Sequence, residues 1–443
     1  MSDWVGETFK STTGWSHLNR LVDIDHRMAG SDGERAGAEM TAAAFEDVGA
    51  RDVTLDEFDL QGWTRGTSEI VSEHDGRVHQ CIALPRSPAE RVSGRFLDLG
   101  YGLPADFEDA DVEGAIVMVA SNVPSYRDRL IHRREKYYYA VTNGASGFIF
   151  KNHIEGQLPP TGSVGRPDHP IGEIPAVGVS REVGATLARR YDGDELGIDV
   201  EASIAPTTSQ NVHATVGPST DDRVLVTAHV DSHDIGQGAM DDGAGTAMLV
   251  ELARILVDHE ETLETTVEFI GFGAEEVGLC GSEHHATTVD PTDIKVVVNL
   301  DGVVRGRTLQ MYTHTFDELE AAARRMADRY DHPVKVIPKE GFRGDQWPLV
   351  REGVPGLFIS GVRETEGRGF GHTAADTLDK LDIRNLREQS ILLSEFVVDL
   401  ARQSVEIPHR SRAVVAASFE AEGRAEGMKI VGEWPYDEPG VDS

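Results

Sequence analysis

The chain has 443 residues, of which 39% are hydrophobic and 27% are charged, and its formal net charge at pH 7 is −34. No run of residues approaches the ~18 consecutive apolar positions that a membrane-spanning helix needs. A surface this acidic repels nucleic acid and anionic membranes. Composition therefore excludes an integral membrane protein and a nucleic-acid-binding protein. Since the start, MSDWVGETFKS, shows no secretion signal, we expect a cytoplasmic location.

The acidity is spread along the chain, and arginine carries nearly all of the positive charge. Because self-repulsion destabilises such a protein unless salt screens it, we interpret the composition as that of a halophilic protein. Cys81 and Cys280 lie far apart in the sequence and do not indicate a disulfide framework.

The first half of the chain changes pattern near residue 76. Two helical patterns within residues 14–49, broken at 29–33, are followed by the strand-like run VTLDEFDL. Short β-rich runs such as AIVMVAS and GFIFKN, with Pro and Gly between them, then extend to about residue 203. We predict that residues 1–75 begin the main domain and that residues 76–203 form an inserted β-rich domain.

Residues 204–407 alternate between apolar strands and amphipathic helices. The strands are RVLVTAH, TTVEFIGFG, IKVVVNL and GLFIS. This alternation predicts an α/β fold with a mixed, largely parallel sheet flanked by helices. Residues 408–443 form an acidic, weakly patterned tail for which the sequence indicates no role.

Polar residues follow each of these four strands. In chain order they are His229, Asp231, Asp241, Asp242, Glu275, Glu276, Asp301 and His372. Because ligands gather outside the carboxyl ends of strands in such sheets, we expect these side chains to share one rim. An acidic residue after a strand also commonly caps a helix, and this alternative stays open for Asp242.

Buried like charges need compensation, and a divalent cation supplies it. Imidazole suits Zn²⁺, and carboxylates can bridge two ions about 3.5–4 Å apart. The sequence therefore predicts a metal cluster. Dinucleotide binding is the alternative for the glycine-rich loop, but GQGAMDDG lacks the GxGxxG spacing, and its two aspartates would lie where a pyrophosphate must bind.

Six ordered motifs resemble those of the M28 family of zinc peptidases: AHVDS, GAMDDGAG, FGAEEVGLCGS, NLDG, GDQWPLVREGVPGLFIS and GHTAADT. The N-terminal HRMAGSDGERAGAEMTAAAFEDVGA resembles the leader helices of that family. The segments VEGAIVMVAS, AVTNGASGFIFKN and IPAVGVSREVGATLAR resemble a protease-associated (PA) domain, a common insertion in the family. The resemblance implies a zinc-dependent exopeptidase fold, and peptides as substrates.

The resemblance also implies two zinc ions per chain, with Co²⁺ or Mn²⁺ as substitutes. Asp241 would bridge both ions. His229 and Asp301 would complete one site, and Glu276 and His372 the other.

Two further residues receive catalytic roles from the resemblance. Glu275 would be the general base, taking a proton from a water and returning it to the leaving amine. Asp231 would fix the tautomer of His229. The resemblance further implies that the Asp241–Asp242 peptide bond is cis.

The substrate class stays open between related enzymes. An aminopeptidase is the first hypothesis, but DSHDIGQGAMDDGAG looks like the carboxypeptidase Q branch, which leaves a dipeptidase or carboxypeptidase as the alternative. That alternative needs an arginine for the substrate carboxylate. The candidates are Arg305, Arg343, Arg363 and Arg368.

Two hypotheses come from other classes, a non-catalytic receptor-like homologue and a glutaminyl-cyclase-like transferase. Intact candidates for all five ligands and the base disfavour the first, and the inserted domain with paired Glu275 and Glu276 disfavours the second. A homo-oligomer stays open.

Several other residues are not assigned to the metal cluster. We interpret four histidines as surface or supporting groups: His233, His284, His285 and His314. Cys280 is interpreted as a small packing residue. The role of Asp345 stays open, because the family's SDH reads GDQ here.

Overall fold

The computed structural model describes residues 2–127, 129–362 and 369–436. Three helices open the chain: α1 (Ser2–Lys10), α2 (Thr13–Val22) and α3 (Asp32–Val48). The last two are the helices predicted within residues 14–49. Helix α3 begins where Ser31 Oγ accepts a hydrogen bond from the Glu34 amide, 3.1 Å away, and it ends at Gly49 with φ 91°.

The following segments run through the inserted region. They are β1 (Arg51–Ser72), β2 (Val78–Gln80), β3 (Ile82–Ala83), β4 (Arg91–Asp98), α4 (Pro104–Glu108), β5 (Ile116–Ala120), α5 (Arg133–Thr142), β6 (Gly147–Lys151), β7 (Ala176–Val179), α6 (Arg181–Tyr191) and β8 (Glu195–Val216). Strands β1 and β8 pair antiparallel over nearly their whole length, from Arg51 opposite Thr215 to Ser72 opposite Leu196. This ribbon carries the chain out of the main domain and back into it.

The inserted region has a parallel centre, in which β4, β5, β6 and β7 are neighbours. Its core includes Tyr137, Tyr138 and Phe148, which are fully buried. Aromatic edge-to-face contacts join these rings at centroid distances of 5.1 and 5.5 Å. The inserted region therefore has a hydrophobic core of its own.

The remaining elements build the main domain. They are β9 (Arg223–His229), α7 (Ala244–Asp258), β10 (Thr266–Phe272), α8 (Cys280–Thr288), β11 (Ile294–Leu300), β12 (Leu309–Tyr312), α9 (Asp317–Tyr330), β13 (Val334–Ile337), α10 (Trp347–Val350), β14 (Gly356–Gly361), α11 (Ile383–Leu400), α12 (Arg412–Ala421) and α13 (Ala425–Val431).

The described residues form one continuous 14-stranded sheet. Strands β10, β9, β11 and β14 are parallel neighbours at the centre of the main domain. Strand β8 is antiparallel to β10, and β12 is antiparallel to β14. The prediction of a mixed, largely parallel sheet is confirmed.

Strand β9 shows why this sheet is covered on both faces. Val224 and Val226 pack into the cluster that contains Leu18, Phe45 and Met248, whereas Leu225 packs into a cluster on the opposite face. Alternate residues of a strand point to opposite faces, and all residues of β9 after Arg223 are buried. No helix among the described residues has the length and apolar character to cross a bilayer.

The C-terminal segment, for which the sequence indicates no role, joins the two domains. Phe419 packs against Trp347 of α10 with the rings tilted and 4.6 Å between centroids, and Val431 is buried in the core of the inserted domain. Glu433 pairs with Arg134 of α5 and, at 3.0 Å, with Arg343. These contacts link the inserted domain to the main domain.

Candidate metal centre

The predicted site residues follow the carboxyl ends of neighbouring parallel strands. His229 is the last residue of β9 and lies opposite Phe272, the last residue of β10, so that the turn carrying Glu275 and Glu276 starts beside it. Asp301 directly follows β11, which pairs with β9 on its other side. His372 lies beyond β14. Parallel pairing thus brings these distant segments to one rim.

Asp241 lies between the two histidines. Its Oδ1 is 3.4 Å from His229 Nε2, and its Oδ2 is 3.3 Å from His372 Nε2. The Asp241–Asp242 peptide bond is cis, as the resemblance implies. A carboxylate whose two oxygens face different imidazoles has the arrangement of a bridging ligand.

Two groups of three side chains could each hold a metal ion. Within each group, the ligand atoms lie within 4.8 Å of one another. The first is His229, Asp241 and Asp301, and the second is His233, Glu276 and His372. Together they contain all five residues proposed as ligands from the sequence. They also contain His233, which sequence reasoning did not treat as a ligand.

The donor set fits divalent cations. Five carboxyl side chains near the rim are buried: Asp231, Asp242, Glu276, Asp345 and Asp376. Within the part of the chain that the structure describes, His229 Nε2, His233 Nε2 and Glu276 Oε1 are buried without a hydrogen-bond partner. Buried polar atoms normally have a hydrogen-bond partner. The absence of one at these three atoms indicates that they bind a cation.

The surroundings shift the pKa values of Asp241 and Glu275 in opposite directions. Burial opposes ionisation of Asp241, but His229 and His372 outweigh it and hold its pKa well below the usual range. Burial, reinforced by Glu276 and Asp345, raises the pKa of Glu275 well above its usual range. Of these two carboxyl groups, Glu275 is the one that holds a proton more readily.

Asp231 fixes the turn that carries the two glutamates. Its Oδ1 accepts a hydrogen bond from the Glu275 amide at 3.0 Å, and its Oδ2 accepts one from the Glu276 amide at 3.2 Å. The closer contact of His229 Nδ1 is the backbone carbonyl of Asp231 at 3.1 Å, with the carboxylate Oδ1 at 3.4 Å. Asp231 therefore orients both His229 and the Glu275–Glu276 turn.

Three supporting residues were not identified from the sequence. Glu34 accepts hydrogen bonds from Ser209 Oγ and from the amide of Ala274, which has φ 55° just before Glu275. Asp376 accepts from the amides of Met240 and Asp241 at 2.7 and 3.2 Å. Glu34 lies in GSDGE and Asp376 lies in GHTAADT. Both segments belong to motifs that the sequence analysis used, but it assigned no role to these two acidic residues.

Arg27 is the third of these residues and is fully buried. Its guanidinium donates to four backbone carbonyls, those of Leu21, Val230, Gln237 and Gly238. Burial lowers its pKa to about 10, so it remains charged at neutral pH. Arg27 holds both ends of the loop that leads from His229 to Asp241.

The inserted domain contacts a candidate ligand directly. The Thr161 amide donates to the His372 carbonyl at 2.9 Å, and His372 Nδ1 lies 3.3 Å from the Thr161 carbonyl. Arg65 of the ribbon forms an ion pair with Asp234 and also contacts Thr161 Oγ1 at 3.3 Å. The orientation of His372 therefore depends on residues of the insertion.

The structure corrects part of the histidine interpretation. His233, His285 and His314 are buried, so a surface position is wrong for them. His314 Nδ1 is 3.0 Å from Glu340 Oε2, whereas the half-buried His284 contacts Asp56 at 3.1 Å.

Other residues left open by the sequence also have defined contacts. Asp242 Oδ1 accepts from the amides of Gly245 and Gly302, which favours the helix-start alternative for Asp242. Asp345 Oδ1 accepts from Ser282 Oγ at 2.5 Å. Cys280 is partly buried against the apolar cluster beneath the ribbon.

Two cavities lie near this rim. The small one, of about 10 Å³, is lined by candidate ligands including His233, Asp241, Glu276 and His372. The large one, of about 730 Å³, lies between the ribbon, the inserted domain and α8, and residues 277 and 278 after the glutamate turn border it. Its volume is in the range of small-molecule binding sites.

Two regions of the chain match models of known protein families. Residues 211–397 match the model of peptidase family M28, and residues 87–187 match the PA domain. Aminopeptidase YwaD of Bacillus subtilis is 27% identical over 412 residues, covering 89% of this chain and 86% of that protein.

Solved structures show the same fold. BSAP, a zinc aminopeptidase from Bacillus subtilis, superposes with a TM-score of 0.71 at 25% identity, covering 89% of this chain and 96% of that one. A peptidase M28 precursor from Shewanella amazonensis superposes with a TM-score of 0.75 at 22% identity, covering 92% and 97%. Residues 211–397 thus belong to peptidase family M28, a family of metallo-exopeptidases, and residues 87–187 form an inserted PA domain.

Proposed function

We propose that the chain is a zinc-dependent aminopeptidase that releases N-terminal residues from peptides. The observation that carries the proposal is Asp241, whose two oxygens lie 3.4 Å from His229 Nε2 and 3.3 Å from His372 Nε2. The printed names of the relatives, an aminopeptidase and a zinc aminopeptidase, support the same activity.

Five residues of the two groups, those proposed as ligands from the sequence, would hold zinc. His229 and Asp301 would share one ion with Asp241, and Glu276 and His372 would share the other with Asp241. When bound, two such ions lower the pKa of a water and polarise the scissile carbonyl.

In this proposal Glu275 moves the proton. Its amide is held by Asp231, and the residue before it is held by Glu34, so that the turn cannot easily shift. A carboxylate held in this turn would take a proton from water and then deliver it to the leaving amine. The same side chain serves first as base and then as acid.

The arginines considered for carboxylate binding that the structure describes have other partners, which favours a substrate ammonium over a substrate carboxylate. Among the arginines considered for carboxylate binding, Arg343 is engaged by Glu433 at 3.0 Å and Arg305 donates to the Gly361 carbonyl at 3.3 Å. Arg363 and Arg368 lie outside the described residues.

A substrate panel tests the proposal. Aminoacyl-nitroanilides, free dipeptides and N-acetylated peptides are assayed in high salt, with a chelator and with zinc added back. We expect cleavage of the nitroanilides, no cleavage of N-blocked peptides, and loss and recovery of activity with chelation and zinc. Cleavage confined to dipeptides, or to the C-terminal residue of N-blocked peptides, contradicts the aminopeptidase assignment and supports the carboxypeptidase Q type.

The role of Glu275 has its own test. Glu275→Gln keeps the shape of the side chain and removes the base, so we expect kcat to fall by about 10²–10⁴-fold while zinc content is retained. Glu261→Gln, at an exposed position, is the matched control and should be unchanged. A Glu275→Gln protein with near-normal kcat removes Glu275 from this role.

A further inference from the structure

His233 is a buried histidine whose polar atoms have no conventional partner. Its side chain is 5% exposed, and neither Nδ1 nor Nε2 has a hydrogen-bond partner within the described residues. Its ring packs edge-on against His372 with 4.4 Å between ring centroids. A fully buried imidazole in this state points to an occupant of the space it faces.

The distances around His233 are those of ligands that share an ion. His233 Nε2 is 2.9 Å from Glu276 Oε2. His372 Nε2 is 3.1 Å from the same oxygen and 3.3 Å from Asp241 Oδ2. Two atoms that each lie about 2.0–2.1 Å from a tetrahedral zinc are about 3.3 Å apart.

The same four side chains line one small space. His233, Asp241, Glu276 and His372 border the cavity of about 10 Å³, which is the volume of about one water-sized sphere. His233 directly precedes Asp234, whose carboxylate is fixed by Arg65 of the ribbon. The backbone at His233 is therefore anchored beside the cavity.

We propose that His233 is an additional nitrogen ligand of the Glu276–His372 ion, which makes the two metal positions unequal. This inference rests on the metal centre of the proposed function. One position has four side chains, those of His233, Asp241, Glu276 and His372. The other position has three, those of His229, Asp241 and Asp301.

The inequality predicts an order of metal release. A zinc position with four protein ligands is closed, whereas a position with three keeps an open place for a water or substrate. Two imidazoles also favour zinc over harder cations. The four-ligand position is therefore the retentive one, and the three-ligand position is the exchangeable and reactive one.

The measurement is stepwise zinc release from the intact protein. The zinc-loaded chain is dialysed against increasing concentrations of a chelator in high salt, and bound zinc is determined by elemental analysis. We expect release of one equivalent first, with the second requiring at least about tenfold more chelator. His233→Asn should abolish this gap, while His74→Asn, at an exposed position, should preserve it.

A second, spectroscopic measurement on a milder variant keeps the proposal testable if His233→Asn does not fold. The chain and the milder variant His233→Gln are reconstituted with Co²⁺, and circular dichroism checks that each is folded. Loss of a ligand changes the visible absorption of the ion retained last. An unchanged Co²⁺ spectrum in His233→Gln, or an unchanged gap in His233→Asn, overturns the proposal.

The outcomes separate this inference from the proposed function. A protein that cleaves no peptide but releases zinc in two steps, with the gap lost in His233→Asn, contradicts only the aminopeptidase assignment. A protein that cleaves peptides and releases both ions together contradicts only the role of His233.

Discussion

The ion pair between Arg65 and Asp234 links the inserted domain to the metal-binding loop, and breaking it tests that link. Arg65 Nε lies 2.8 Å from Asp234 Oδ2, and Nη2 lies 2.5 Å from Oδ1, which is a bidentate contact. The same guanidinium donates to the Ala83 carbonyl and to Thr161 Oγ1. Replacing Arg65 by Met removes all of these contacts and leaves the Asp234 carboxylate without the guanidinium that pairs with it.

The expected cost follows from burial. The side chains are 12% and 14% exposed, and Arg65 outweighs the burial that would otherwise raise the pKa of Asp234. Removing one partner of a buried pair costs about 3–5 kcal/mol, and the residual exposure places Arg65→Met near the lower value, about 3 kcal/mol. The exposed pair Arg35–Glu57 is the matched control, for which Arg35→Met should cost less than about 1 kcal/mol.

Urea unfolding followed by tryptophan fluorescence measures these costs, because Arg65 Cζ lies 5.2 Å from the Trp63 ring. The double variant Arg65→Met with Asp234→Leu should recover part of the loss, since no buried charge is left unpaired. If Arg65→Met costs no more than Arg35→Met, or if the two substitutions at the pair are additive, the reasoning is refuted.

Two further predictions concern solution conditions. With a net charge of −34, the chain should melt at a lower temperature in millimolar than in molar KCl, and equal melting temperatures would refute salt adaptation. Burial, aided by Arg20 and Arg27, lowers the pKa of His17 from 6.5 to about 3. The unfolded chain therefore binds a proton below pH 6.5 that the folded chain does not. Stability present above pH 6.5 is lost as the pH falls toward 3, by up to about 5 kcal/mol. His17→Gln should flatten this decline in urea unfolding measured from pH 7 to pH 4, and the exposed control His74→Gln should leave it unchanged. A His17→Gln protein with the parent's pH dependence would argue against His17 as the cause.

The sequence predicted the parts of the site that lie at strand ends. Apolar runs locate the strands, and parallel pairing brings the residues after them together, which is why His229, Asp241 and Asp301 could be proposed as neighbours. The alternation also predicted the sheet, because strands buried on both faces read as continuous apolar runs.

Residues that act through tertiary contacts could not be found in this way. Arg27, Glu34 and Asp376 bind backbone groups of segments far away in sequence, so their supporting role depends on the folded structure even where the residue lies in a recognised motif. His233 lies two residues from a predicted supporting group, but its direction into the cavity depends on how the loop closes.

The C-terminal helices escaped sequence reasoning for a similar reason. Val415, Phe419 and Met428 are buried only because α10 and neighbouring strands cover them. These helices have only 10 and 7 residues, which is too short for their apolar pattern to predict which side is covered. The inserted domain then completes the cover around Val431.

Zinc content by elemental analysis tests the account most directly, because every proposed role depends on Asp241 joining two ions. The parent chain, Glu275→Gln and Asp241→Ala are loaded with zinc in high salt and dialysed. We predict about two zinc ions per chain in the first two proteins and fewer than one in Asp241→Ala. Loss of the Asp241 carboxylate removes one ligand from each of the two positions. An Asp241→Ala protein that is folded and retains both ions would contradict the bridging role at the centre of the account.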